Sequence, residues 1–108
     1  VDSLPFKNFL KAASKAISFD VEVADEKLTL SSKTDEGLVE VEYDDIVMTP
    51  AHYEGQTTYS VKEIESATST MKGLVTIRSC GIEQGGLIEM SWNLSPESTI
   101  KALVAPRE

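Results

Sequence analysis

Residues 1–43 read VDSLPFKNFLKAASKAISFDVEVADEKLTLSSKTDEGLVEVEY, and within them the hydrophobic period changes once. A short strand is expected from Val1 to Leu4, ending at Pro5. Phe6, Phe9, Leu10, Ala13 and Ile17 then recur at the spacing of one helix face. After the helix the pattern alternates: Val21 and Val23, then Leu28 and Leu30, then Leu38 to Tyr43. The same order returns between Thr57 and Ala105. Thr58-Tyr59-Ser60 leads into Val61, Ile64, Ala67 and Met71, with Gly73 as the stop signal. Alternation resumes at Val75 and Ile77, at Ile88, Met90, Trp92 and Leu94, and at Ile100, Ala102 and Val104.

The chain is therefore a duplicated β-α-β-β-β unit with pseudo-repeats at about 1–43 and 57–105. Two helices cannot cover both faces of so many strands. The expected fold is a single α+β domain over residues 1–108, with two adjacent helices packed on one face of antiparallel sheets. Strands such as Val39-Glu40-Val41-Glu42 suit a sheet whose other face meets water or a partner.

At 108 residues there is room for one domain of ordinary size. The single cysteine, Cys80, excludes an internal disulfide, and no apolar run approaches the ~20 residues that cross a membrane. A soluble intracellular protein is expected. The net charge of −8 opposes general nucleic-acid binding, yet the charge is unevenly placed. From Phe6 to Ser18 the helix carries Lys7, Lys11 and Lys15 and no acid. At i, i+4 and i+8 these lysines form one stripe opposite Phe9, Ala13 and Ile17. An ordinary solvated helix face would also carry lysines. The second helix mixes Lys62 and Lys72 with Glu63 and Glu65.

Catalytic chemistry is not visible. His52 is the only histidine and lies in a loop-like stretch, while Cys80 stands beside Gly81 with no base near it in sequence. Asp35-Glu36 and Asp44-Asp45 fall at turns, and Gly85-Gly86 sits between two strands as a hairpin turn. Asn93-Leu94-Ser95 matches a glycosylation triplet, but Pro96 follows it. No cofactor or metal is expected.

The doubled unit, the lysine-bearing helix and the closing Leu103-Val104-Ala105-Pro106-Arg107-Glu108 together resemble one domain of a DNA sliding clamp of the proliferating cell nuclear antigen (PCNA) type. The ending is similar to the Leu-Ala-Pro segment, followed by a basic residue, that closes clamp subunits. Thr58-Tyr59-Ser60-Val61-Lys62-Glu63-Ile64 resembles the strand entering the family's last helix, and Leu87 to Leu94 its penultimate strand region. The resemblance spans the chain but corresponds to the C-terminal half of a two-domain subunit. It implies either half of a longer subunit, which the start at the first strand favours, or a single-domain subunit needing about twice as many copies per ring.

The resemblance implies a processivity factor with three surfaces. Lys7, Lys11, Lys15 and Lys62 would face duplex DNA, holding phosphates weakly and without sequence preference. Gly37, Leu38, Val39, Glu40, Val41, Glu42 and Tyr43 would form the edge strand that pairs with another clamp domain in the ring. Leu87, Leu103, Val104, Ala105 and Pro106 would help build an outer pocket for the short motifs of DNA polymerase, clamp loader and other clamp-binding proteins. Leu103 stands where the family usually has tyrosine, and Leu87 where it has proline. Nuclear localisation is implied for a eukaryotic source and cytoplasmic for an archaeal or viral one. A non-catalytic adaptor, or a checkpoint-clamp paralogue sharing the fold, is the alternative.

Overall fold

The computed structural model describes residues 1–24, 26–44, 55–79 and 87–107. It is a small α+β domain: α1 (Ser3–Ala12), β1 (Ser18–Ala24), β2 (Lys27–Thr34), β3 (Gly37–Tyr43), β4 (Gly55–Ser60), α2 (Val61–Ala67), β5 (Thr76–Ser79), β6 (Ile88–Ser95) and β7 (Ser98–Val104). All strand pairs are antiparallel, in one sheet of order β3-β2-β1-β4 and one of order β5-β6-β7.

The first element differs from the expected strand over Val1 to Leu4. Asp2 caps α1, its carboxylate accepting from Leu4 N–H at 3.0 Å, so the helix begins at Ser3. Pro5 falls inside the first turn, where a missing N–H leaves no helical bond unmade. Only Val1 to Ser3 pair as a strand, and their partner is in the other half of the chain. Val75 N–H donates to the Val1 carbonyl at 2.7 Å, the terminal amine of Val1 donates to the Val75 carbonyl at 2.8 Å, and Ser3 N–H to the Gly73 carbonyl at 2.9 Å.

This pairing is reciprocated. β4, the first strand of the second half, pairs with β1 of the first half from Ser18↔Ser60 to Val23↔Gly55. The second half thus gives a whole strand to the first half's sheet, whereas the first half returns only an isolated bridge, Asp2↔Leu74, outside the β5-β6-β7 sheet. The two sheets and both helices enclose one core. Phe6, Phe9, Leu10 and Ala13 of the α1 region and Val61 and Ile64 of α2 are buried with Phe19, Leu30, Tyr59, Met90 and Trp92. Phe9 meets Phe19 edge-on at 5.5 Å between ring centroids, and Phe19 lies 6.2 Å from Tyr59.

The helices are shorter than the hydrophobic spacing implies. α1 stops at Ala12, and Ile17, expected on its buried face, is 71% exposed in the bend that leads into β1. α2 stops at Ala67 with Thr68 as its C-cap, whose N–H and Oγ1 both donate to the Ile64 carbonyl, at 3.0 and 2.7 Å. Met71 still reaches the core, carried there by a turn in which its N–H donates to the Thr68 carbonyl at 3.0 Å. Gly73 adopts φ +67°, a left-handed geometry suited to glycine. Leu94, expected inside, is exposed because an irregularity between Asn93 and Ser95 shifts the β6–β7 register. The expected Gly85-Gly86 hairpin, His52 and Cys80 lie outside the described residues.

Candidate functional site

The stripe Lys7-Lys11-Lys15 does not form as one helix face. Lys7, although exposed, reaches across the surface, its Nζ donating to the Met71 carbonyl at 3.0 Å, which ties α1 to the turn after α2. Lys11 is exposed in the last turn of α1, where its charge is favourable to the helix dipole. Lys15 lies past the helix end. There it lines a groove of about 900 Å³ together with Ile17, Asp20, Lys33, Glu36 and Leu38. The sequence spacing was that of a longer helix, and the turn at Ala13 rotates Lys15 out of register.

The expected edge strand is an edge: β3 ends the four-stranded sheet, with β2 as its only neighbour among the described residues. Val39, Val41 and Tyr43 pack partly against the core, whereas Leu38, Glu40 and Glu42 are exposed. Lys27 on β2 holds Glu42 at 3.2 Å and Asp44 at 3.9 Å. Tyr43 closes the far end of this strand, its hydroxyl donating to the Asp2 carbonyl at 2.8 Å. Burial pushes the Tyr43 phenol above its usual 10.0; the Asp2 carboxylate adds to that, while a hydrogen bond from the Phe6 backbone partly offsets it.

The third surface lies where β7 passes α2. Leu103, Val104 and Ala105 line a depression of about 670 Å³ with Lys62, Glu63, Ser66 and Ala67 of α2. Leu87 and Pro106, half-buried, do not line it. The sequence had placed Lys62 with the DNA-facing lysines and Leu103 on an outer pocket, but the structure sets both around one depression. Val104 pairs with Ile88 as Tyr43 pairs with Leu28, so Val104 and Tyr43 are equivalent positions in the two halves. The first half covers the start of its helix with a tyrosine; the second has only a valine there and stays open.

Sequence reasoning missed Glu89. It alternates with buried Ile88 and Met90 on β6, so its position on the outer face was readable, but its partners were not. With its side chain only 15% exposed, it holds Lys101 at 3.2 Å and Arg78 at 3.5 Å across three strands. Trp92 Nε1 is buried without a hydrogen-bond partner among the described residues. No cluster of metal-ligating side chains occurs among the described residues, and no helix there is long and apolar enough to cross a membrane.

The chain matches no family model, and no curated protein matches it significantly.

Proposed function

We propose that this chain is a domain of a DNA sliding clamp of the PCNA type, a non-catalytic processivity factor. It forms part of a ring around duplex DNA and docks DNA polymerase, clamp loader and other proteins carrying a clamp-binding motif. The observation that supports the reading is the interlocking of two similar halves, β4 of the second pairing along β1 of the first and the start of the first bridging at Asp2↔Leu74 to the second. Among the described residues β3 and β7 are end strands of the two sheets, as are β4 and β5, and an end strand is what a ring built by sheet extension would use. DNA would be held by Lys11, Lys15 and Lys62, with Lys7 engaged mainly in structure. Weak, water-separated phosphate contacts suit a ring that slides.

The same lysine positions favour a second reading. With Lys7 tied to a carbonyl and Lys15 off the helix, the positive face is thinner than its sequence promised. An adaptor or checkpoint-clamp paralogue that docks peptides without touching DNA needs no such face.

An NMR titration of the isotope-labelled chain separates these readings. A clamp-binding peptide with aliphatic and aromatic anchors should shift the amides of Leu103 to Ala105. Duplex DNA at low salt should shift Lys11 and Lys15, and those shifts should disappear as salt rises. Peptide shifts without DNA shifts would select the adaptor; silence with both would remove both readings.

A further inference from the structure

Of the tyrosines in this chain, Tyr43 alone has acids on both sides, in the run Val39-Glu40-Val41-Glu42-Tyr43-Asp44-Asp45. Tyr53 has Glu54 as the one acid within three residues, and Tyr59 has none. Tyr43 is also the last residue of β3, whose only neighbour among the described residues is β2, so one backbone edge of the acidic run is uncovered. Tyr59 is instead 1% exposed, its ring 6.2 Å from that of Phe19. The Tyr43 ring is half-buried, but its hydroxyl reaches the surface, where it donates to the Asp2 carbonyl.

We propose that Tyr43 is a phosphoacceptor for an ATP-dependent tyrosine kinase with a basic substrate groove, and that its phosphate unlatches the start of α1 from β3. The acidic flanks supply the charge such a groove recognises, and the open edge lets the enzyme bind the segment as an added strand. In the transfer the Tyr43 oxygen attacks the γ-phosphorus of ATP. The bond from that phosphorus to the bridging oxygen of ADP breaks, ADP leaves, and the phenolic proton passes to the enzyme's base. To reach the enzyme the end of an edge strand lifts, giving up the hydrogen bond to Asp2 and part of the ring's packing.

Once attached, the phosphate opposes the closed arrangement in two ways. The ester oxygen has no hydrogen, so the Asp2 carbonyl loses its donor. A charge of about −1.5 to −2 at neutral pH also arrives beside acids. The Asp2 carboxylate is already close enough to disfavour the Tyr43 phenolate, and Asp44 is the next residue. The N-terminus of α1 would attract an anion, but the Asp2 carboxylate already caps it. Asp2 in turn bridges to Leu74, between the bonds that join Val1 to Val75 and Ser3 to Gly73, so its displacement loosens the seam between the halves. Neither DNA, a docking peptide nor ring closure is needed, and the switch stands or falls apart from the clamp reading.

The test incubates the 108-residue chain, and separately the peptide Gly37–Asp45, with magnesium-ATP and a tyrosine kinase that prefers acidic flanks, and locates the phosphate by tandem mass spectrometry. Both should be labelled at Tyr43, the folded chain within about tenfold of the peptide's rate, and Tyr59 should stay unlabelled. Glu40→Gln with Glu42→Gln should slow labelling of the folded chain about tenfold. Hydrogen exchange then reads the consequence. In the phosphorylated chain the amides of Ser3 and Val75 should exchange about tenfold faster, while that of Ile64 is unchanged. A kinase that refuses the peptide, a folded chain labelled at Tyr53 or Tyr59 ahead of Tyr43, or a peptide labelled while the folded chain is not, would overturn the phosphoacceptor. Unchanged exchange at Ser3 and Val75 would overturn the unlatching.

Discussion

Two side chains decide how the first half of this molecule closes, and neither role follows from residue type alone. Lys7 looks like a solvated lysine in sequence, yet its ammonium donates to the Met71 carbonyl. Lys7→Ala should cost about 1–2 kcal/mol, the worth of a charge-assisted hydrogen bond, while Lys11→Ala stays within about 0.5 kcal/mol. Urea unfolding of the two variants side by side measures this; equal midpoints would return Lys7 to the solvated face. Tyr43 plays the matching part on β3. Tyr43→Phe should lose about 1 kcal/mol with its bond to the Asp2 carbonyl. The folded state raises the phenol above 10.0, so the fold favours the protonated form. That stabilisation is complete below the unfolded value and is lost as pH rises through the folded one. Thermal melts should show the wild type losing more stability than Tyr43→Phe as pH passes upward through 10.0.

At the scale of elements, alternation was the reliable guide. Val21, Val23, Leu28 and Leu30 were read as core from period two, and all four are buried. The resemblance implied that β3 is an edge, and among the described residues it ends its sheet with Glu40 and Glu42 exposed. Helix ends were less legible. The spacing Phe6-Phe9-Leu10-Ala13-Ile17 continues past Ala12, because apolar spacing does not register which backbone carbonyls a following turn will claim. The start of α1 could have been read, since Asp2 ahead of a first-turn proline is a helix-start pattern. Asp2→Ala should therefore lower stability by about 1 kcal/mol through the unsatisfied first turn, measured by chemical denaturation. Ile64→Ala, which empties a fully buried position on α2, should cost about 2–5 kcal/mol in the same assay.

At the scale of the whole molecule, the crossing of β4 into the first half's sheet and the Asp2↔Leu74 bridge make the halves interdependent. The Phe9–Phe19–Tyr59 ring cluster and the β1–β4 pairing both join residues from different halves. Residues 1–54 and 55–108 made separately should each lack a cooperative thermal transition, and an equimolar mixture should regain one. Circular dichroism melts of the three samples check this; a half that melts cooperatively alone would show that each unit closes its own core. The sequence by itself determined the doubled unit, the rows that enter the core and the polarity of the edges, because hydrophobic period and charge alternation are local properties of a strand or helix. Only the tertiary structure decided that β4 joins the first half's sheet, that Lys7 bonds the Met71 carbonyl and that Lys62 shares a depression with Leu103. Those outcomes depend on which distant backbone groups come within hydrogen-bonding reach, and no local pattern encodes that distance.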